Sequence, residues 1–109
     1  MAVSSDVLRG HTETIILRQL LSGDSYGYEI SKNIIEMGDG MLDIKDATIY
    51  TACRRMESDG LIVTYWGEGF EGARRRYYSI TEEGKKQYQQ KSQEWLQISL
   101  ILNKLIIGG

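Results

Sequence analysis

The chain has no proline, one cysteine and one histidine among its 109 residues. Without proline, glycine is the residue that interrupts helices and marks turns. A single cysteine excludes a disulfide within the chain and is typical of a reducing cytoplasm, where we expect the protein to reside. The histidine has no cysteine or second histidine near it in the sequence, so we expect no metal site.

Long apolar runs are also missing. The most apolar segment, residues 95–107, is too short to span a membrane and contains Gln97, Asn103 and Lys104. The N-terminus lacks the basic and apolar regions of a signal peptide. With 41% hydrophobic and 26% charged residues, the composition is that of an ordinary single globular domain. We therefore expect no interaction with membranes.

The hydrophobic pattern of the first 40 residues is helical. One helix is predicted over residues 5–22 and ends at the turn that begins with Gly23. A second helix is predicted to start near Ser25, which is suited to be its N-cap, and to stop at the glycines of residues 38–40. Its expected buried stripe consists of Tyr26, Ile30, Ile34 and Met37.

A third predicted helix, residues 46–59, has two unlike faces. Ile49, Cys53 and Met56 recur at i, i+4 and i+7 and should face the core. The opposite face and its flanks are polar and basic. Arginine can bridge the two acceptors of guanine, and threonine offers a hydroxyl and a methyl group, so this face suits the major groove of DNA. The expected DNA contacts are Thr48, Tyr50, Thr51, Arg54 and Arg55, although Tyr50 also fits a role in covering the core edge.

Residues 61–66 and 74–81 are rich in β-branched and aromatic side chains, and a glycine-rich segment separates them. They predict an antiparallel hairpin, and helices followed by such a hairpin are the order of a winged helix-turn-helix. The hairpin carries three consecutive arginines in a chain of net charge −2. Alternation places Arg74 and Arg76 on one face and Arg75 on the other, so we expect one or two of them to bind DNA phosphates.

A long last helix should begin after Thr81 as its N-cap and run to about Ile107. Its apolar residues form a heptad-like seam that the small core cannot bury, which favours a two-fold dimer. The seam consists of Tyr88, Trp95, Ile98, Leu102 and Leu105. The expected fold is mainly α with a small β-hairpin: a winged-helix DNA-binding domain with an N-terminal helix over 1–80, and a C-terminal dimerisation helix over 81–109.

Other interpretations fit parts of the pattern. The arginine run also suits a solvated surface, and a wing-like hairpin can serve protein contacts, so a winged-helix module for protein–protein interaction stays open. Trp95 equally suits the packed core of a dimer interface. The chain lacks an acid/base pair, a nucleophile elbow and a phosphate-binding glycine loop in the required context. We therefore predict that it is not an enzyme and needs no cofactor.

Three segments together resemble the PadR-type transcriptional regulators: "YGYEI" at 26–30, "ATIYTACRRMESDGLI" at 47–62 and "GARRRYYSITEEG" at 72–84. Within that family, "YWGE" at 65–68 and "EWLQI" at 94–98 are most similar to the short subfamily with one C-terminal dimerisation helix, especially its multidrug-responsive repressors. The resemblance implies a homodimeric winged-helix repressor that binds a palindromic operator. It also implies that planar aromatic compounds stack between paired tryptophans at the dimer interface.

Trp95 stands at the position of that stacking tryptophan. The resemblance further implies a ligand wall built from Val7, Gly10, Glu13, Thr14, Leu17, Lys91, Ser92 and Ser99. Ser99 replaces the acidic residue of the cation-binding members, and Glu13 is the carboxylate that could substitute for it from another helix. Lys91 either fills the pore or selects an anionic ligand.

Overall fold

A computed structural model describes residues 3–42 and 44–108. The elements follow in the order α1 (Ser5–Leu8), α2 (Thr12–Leu21), β1 (Ser25–Tyr26), α3 (Gly27–Met37), α4 (Asp46–Ser58), β2 (Ile62–Glu68), β3 (Arg74–Ile80) and α5 (Glu82–Ile107), with a short 3-10 turn at Phe70–Gly72. The mainly helical fold with a small antiparallel sheet, predicted from the sequence as a winged helix-turn-helix, is confirmed.

The predicted helix over residues 5–22 is in fact two helices. Helix α1 ends at Leu8, and Gly10 adopts a φ of +88°, a left-handed conformation that a helix cannot contain and that glycine tolerates. Helix α2 then begins at Thr12 and buries Ile16, Leu17 and Leu20 against the rest of the core. The break places His11 at the junction of the two helices.

The second helix starts near Ser25 as predicted, but the prediction of its N-cap was wrong. Ser25 is not an N-cap: it lies buried in the two-residue strand β1, opposite Tyr78, and its hydroxyl donates to the Glu29 carboxylate at 2.5 Å. Helix α3 starts at Gly27 and buries Ile30 and Ile34 as expected. Met37 does not join that stripe, because it ends the helix with 68% of its surface exposed.

Strand β3 is the centre of a three-stranded sheet of order β1–β3–β2. The predicted two-stranded hairpin therefore gains a third, short strand. Ile62 pairs with Ile80 and Thr64 with Tyr78 on the face that covers the core, while Tyr65 and its cross-strand partner Tyr77 lie on the outer face. Beyond the core the hairpin of β2 and β3 projects as the wing.

Helix α4 buries its predicted stripe: Ile49, Cys53 and Met56 are fully inaccessible to solvent. Helix α5 starts as predicted, since the Thr81 hydroxyl accepts a hydrogen bond from the Gly84 amide at 3.0 Å. Gly84 is buried against the backbone carbonyl of Leu61, and a side chain at this position would collide with that carbonyl, so the close packing requires glycine. The first turns of α5 thus pack on the winged-helix core, and the rest of the helix extends away from it.

Candidate nucleic-acid interface

The polar face of α4 is exposed. Thr48, Thr51, Arg54 and Arg55 are all accessible to solvent, and Arg54 Nη2 lies 3.4 Å from Thr51 Oγ1. That face is available to a groove because the opposite stripe holds the helix against α2 and α3. The helical period that predicted the buried stripe therefore also predicted which polar side chains are exposed.

Tyr50 occupies a different position from the other predicted DNA contacts. Its ring lies over the start of α3, where a Cβ added to Gly27 would come within 2.5 Å of Tyr50 Cε1. The glycine is what lets the ring approach the backbone so closely. Tyr50 therefore covers the core edge while 41% of its surface stays exposed at the margin of the α4 face.

The wing is tied to α4 through one carboxylate. Thr64 of β2 donates a hydrogen bond to Glu57 Oε2 at 2.8 Å, and Arg76 of β3 places Nη2 3.5 Å from the same oxygen. Arg76 also donates to Thr64 Oγ1 at 3.1 Å. Glu57 lies one turn after Arg54 on α4, so this cluster makes the inner face of the wing continuous with the polar face of the helix.

The other two wing arginines each stack on an aromatic ring. The Arg74 guanidinium lies 5.4 Å from the centre of the Trp66 ring, and that of Arg75 lies 4.4 Å from the centre of the Tyr26 ring. Both distances are within the range of a cation–π interaction. These partners agree with the predicted placement of Arg74 and Arg75 on opposite faces. Trp66 pairs with Arg76 across the strands and so shares the inner face with Arg74, whereas Tyr26 lies on the outer face with Arg75.

A row of tyrosines stiffens the outer face of the wing. The rings of Tyr65 and Tyr77 stack at 5.6 Å with an angle of 14°, and Tyr26 meets Tyr77 edge-on at 5.7 Å. The Tyr65 hydroxyl donates to Asp24 at 2.6 Å, and this hydrogen bond raises the pKa of Tyr65. This row was not predicted from the sequence, because Tyr26 lies on the short strand β1 and only the pairing of β1 with β3 brings it beside Tyr77.

An ion pair connects α4 with the predicted ligand wall. Arg55 Nε lies 3.4 Å from Glu13 Oε2 of α2, and both side chains are partly exposed. A cleft of about 380 Å³ lies beside this pair, lined among others by Arg9, Thr12 and Thr48. Two residues to which the sequence analysis gave separate roles, one for DNA and one for a ligand, are therefore direct neighbours.

Trp95 is half exposed on α5 and meets the imidazole of His11 edge-on, with ring centres 5.1 Å apart. His11 was not among the predicted wall residues, because the break between α1 and α2 that presents it was not predicted from the sequence. Of the wall residues, Thr14 and Ser99 are half-buried and Lys91 lies 3.5 Å from Glu94. Leu17 needs a correction: it is 1% exposed in the core and is not presented on this surface.

The distal part of α5 is unusually apolar and open. Nine large hydrophobic side chains from Trp95 onward are between 43% and 75% exposed: Trp95, Leu96, Ile98, Leu100, Ile101, Leu102, Leu105, Ile106 and Ile107. Tyr88, the first residue of the predicted seam, instead packs half-buried against the core of its own chain. An apolar surface of this extent is typical of a partner interface.

Cys53 is buried, and that burial, with a smaller contribution from the Glu57 charge, raises the pKa of its thiol to about 12. A neutral thiol of this kind behaves as a small apolar side chain. Within residues 3–42 and 44–108 no group of side chains is arranged to hold a metal ion. Over the same ranges, no helix has the length and hydropathy needed to cross a membrane.

An exposed helix with threonine and arginine side chains, joined to a basic β-ribbon, is the arrangement typical of winged-helix DNA-binding proteins. Residues 16–90 match the transcriptional regulator PadR-like family. The chain belongs to this family of DNA-binding transcriptional regulators, as the resemblance of its motifs implied. Its homologues are regulators and not enzymes.

Solved structures agree with this assignment. A transcriptional regulator from Clostridium thermocellum is 50% identical, with 96% of this chain and 99% of that chain covered at a TM-score of 0.87. A PadR family transcription regulator from Clostridium difficile is 38% identical, with coverage of 89% and 99% and a TM-score of 0.79. A functionally uncharacterised protein from Lysinibacillus sphaericus is 39% identical over 97% of both chains.

Proposed function

We propose that this regulator is a homodimeric repressor that binds a palindromic operator. The observation that carries the proposal is the continuous surface formed by the polar face of α4 and the inner face of the wing, which Glu57 and Arg76 join. In this arrangement Thr48, Thr51 and Arg54 read bases in the major groove. The wing arginines on the inner face bind flanking phosphates and set the position on the duplex.

The dimer forms through α5. Burial of the distal apolar surface against a second copy removes it from water, and a two-fold axis there displays two α4 helices on one side of the assembly. Two recognition helices roughly 34–36 Å apart match successive major grooves, which requires a dyad-symmetric operator. In this scheme residues 1–80 bind DNA and residues 81–109 dimerise, and the protein acts in the cytoplasm where its operator lies.

A second proposal concerns control by a planar aromatic compound. Its support is the half-exposed Trp95 ring beside the edge of His11, with Glu13 and Thr14 on the facing helix. A compound stacked on Trp95 relieves repression only if it binds more tightly to a dimer geometry that does not fit the operator. Quenching of Trp95 fluorescence by such compounds, lost in Trp95→Phe, tests this point separately from DNA binding.

Footprinting on the DNA upstream of the protein's own gene tests the main proposal. We expect a protected segment with two-fold symmetric half-sites about one helical turn apart, and a dimer in sedimentation experiments. Protection of an asymmetric site by a monomer would contradict the dimeric scheme. Absence of any duplex binding would favour the alternative of a winged-helix module for protein–protein contacts.

A further inference from the structure

Trp66 occupies an unusual position for a tryptophan in a small domain. It lies in β2 with 60% of its surface exposed, although a tryptophan on a strand usually packs into the core. Its cross-strand partner is Arg76, and the guanidinium of Arg74 lies over its ring at 5.4 Å. This exposure excludes a place in the hydrophobic core for Trp66.

The direction in which Trp66 points follows from the strand. Side chains two apart on a strand share a face, so Trp66 lies on the face of Thr64, whose hydroxyl contacts Glu57 of α4. That is the inner face of the wing, continuous with Arg54 on the recognition helix. Arg75 lies on the opposite face with Tyr26 and Tyr77.

We propose that Trp66, held in place by Arg74, contacts the sugar–phosphate backbone of DNA beside the groove that α4 occupies. The inference rests on the proposed function and names a residue that the expected set of threonines and arginines does not contain. The indole N–H is a hydrogen-bond donor of the kind that phosphate oxygens accept, and the ring offers a flat apolar surface to a deoxyribose.

The stack with Arg74 explains why the pair suits this task. Cation–π contact fixes the guanidinium plane before DNA arrives, so less side-chain freedom is lost on binding. Arg76 lies directly opposite Trp66 on β3, and Arg74 lies diagonally opposite with its guanidinium over the ring, so two arginines adjoin this apolar surface. A protein partner of this face would instead need to cover the arginines with carboxylates.

The experiment uses the full chain labelled with 5-fluorotryptophan and observed by ¹⁹F NMR. The chain has two tryptophans, and the Trp66→Phe variant assigns their resonances. The probe is a mixed-sequence duplex of about 30 base pairs at low salt, long enough for two half-sites. We expect the H₂O–D₂O solvent shift of Trp66 to fall by about half or more on complex formation, because the backbone covers its exposed face. Trp95, on α5, should keep its solvent shift.

Affinity measurements with matched variants give the second readout. Trp66→Leu keeps an apolar strand residue but removes the N–H and the stacking ring, and should weaken duplex binding roughly tenfold through loss of one charge-assisted hydrogen bond. Tyr65→Leu, the same type of change on the neighbouring residue of the outer face, should leave the affinity unchanged. Circular dichroism confirms that both variants are folded.

The outcomes separate the two proposals. A complex in which the solvent shift of Trp66 is unchanged, or a Trp66→Leu protein with wild-type affinity, would overturn the role of Trp66 and leave the repressor proposal standing. If the wild-type protein binds no duplex at low salt, the proposed function fails and this inference fails with it.

Discussion

Arg55 on the recognition helix α4 is paired with Glu13 on α2, with Nε and Oε2 3.4 Å apart. The arginine belongs to the face that we propose for DNA, and the glutamate belongs to the proposed ligand wall beside Trp95. We therefore expect a DNA phosphate and Glu13 to compete for the same guanidinium. Partly exposed pairs of this kind contribute at most about 1 kcal/mol, so the competition is reversible.

Removing the glutamate charge should strengthen DNA binding. In Glu13→Gln, Arg55 is free to bind phosphate and one negative charge near the DNA surface is lost, so we expect roughly two- to fivefold tighter binding, the equivalent of a surface ion pair. Fluorescence anisotropy with a labelled duplex measures the change. Glu94→Gln, which removes a carboxylate paired with Lys91 on α5, is the matched control and should bind as wild type. Weaker binding by Glu13→Gln would show that Glu13 serves to position Arg55.

Arg54 is the residue on which sequence reading depends in this account. It is exposed on the polar face of α4, and its guanidinium can bridge both acceptors of a guanine, whereas the guanidinium of Arg55 is paired with Glu13. We expect Arg54→Ala to lose about 1–3 kcal/mol of discrimination between bases at one position of each half-site. The variant should still bind the duplex through contacts with the DNA phosphates. Selection of binding sites from a random pool measures this. An unchanged consensus would mean that another side chain reads the bases.

Dimerisation should depend on the apolar surface of α5. Leu102 is 43% exposed in the single chain, so Leu102→Glu should leave the protomer folded but put a charge into the proposed interface. We expect the mass in sedimentation to fall from twice 12.4 kDa to the mass of one chain. Gln93→Glu adds the same charge on the opposite side of the helix and should remain dimeric. A dimer that survives Leu102→Glu would place the interface elsewhere.

Cys53 should resist modification while the protein is folded. Its pKa is raised to about 12 by burial, so the reactive thiolate is scarce near pH 8 in the native state. Between the unfolded value of 9.0 and about 12 the unfolded chain releases a proton that the folded chain retains, so this group lowers stability as the pH rises through that window. A thiol reagent should react about 100-fold faster in urea than without it. Equal rates would show that Cys53 is accessible in the folded protein.

Much of the fold follows from periodicity alone. The spacing of Ile49, Cys53 and Met56 predicted both the buried stripe of α4 and, by opposition, its exposed face. The order of helices and strands predicted the winged helix, and Thr81 predicted the start of α5. These features are local, because a helix period or a cap needs only a few neighbouring residues.

The features that the sequence did not reveal depend on distant partners. Strand β1 has two residues, too few for any period, and exists because β3 pairs with it. The ion pair of Glu13 with Arg55 joins residues 42 positions apart, and the stack of Arg75 on Tyr26 joins two elements that only the sheet brings together. The break at Gly10 was missed because a glycine inside an otherwise helical pattern is often tolerated.

The central claim is that the inner face of the wing and the exposed face of α4 bind duplex DNA. Its most direct test is the salt dependence of duplex binding for the wild type, Arg76→Ala and Arg75→Ala. We expect the logarithm of the affinity to fall linearly with the logarithm of the salt concentration, with a slope of about −0.9 per phosphate neutralised. Arg76→Ala should make this slope shallower by about 0.9, the contribution of one phosphate contact. Arg75→Ala, on the outer face, should keep the wild-type slope. Binding that is independent of salt, or an Arg75→Ala slope that falls while that of Arg76→Ala does not, would contradict the account.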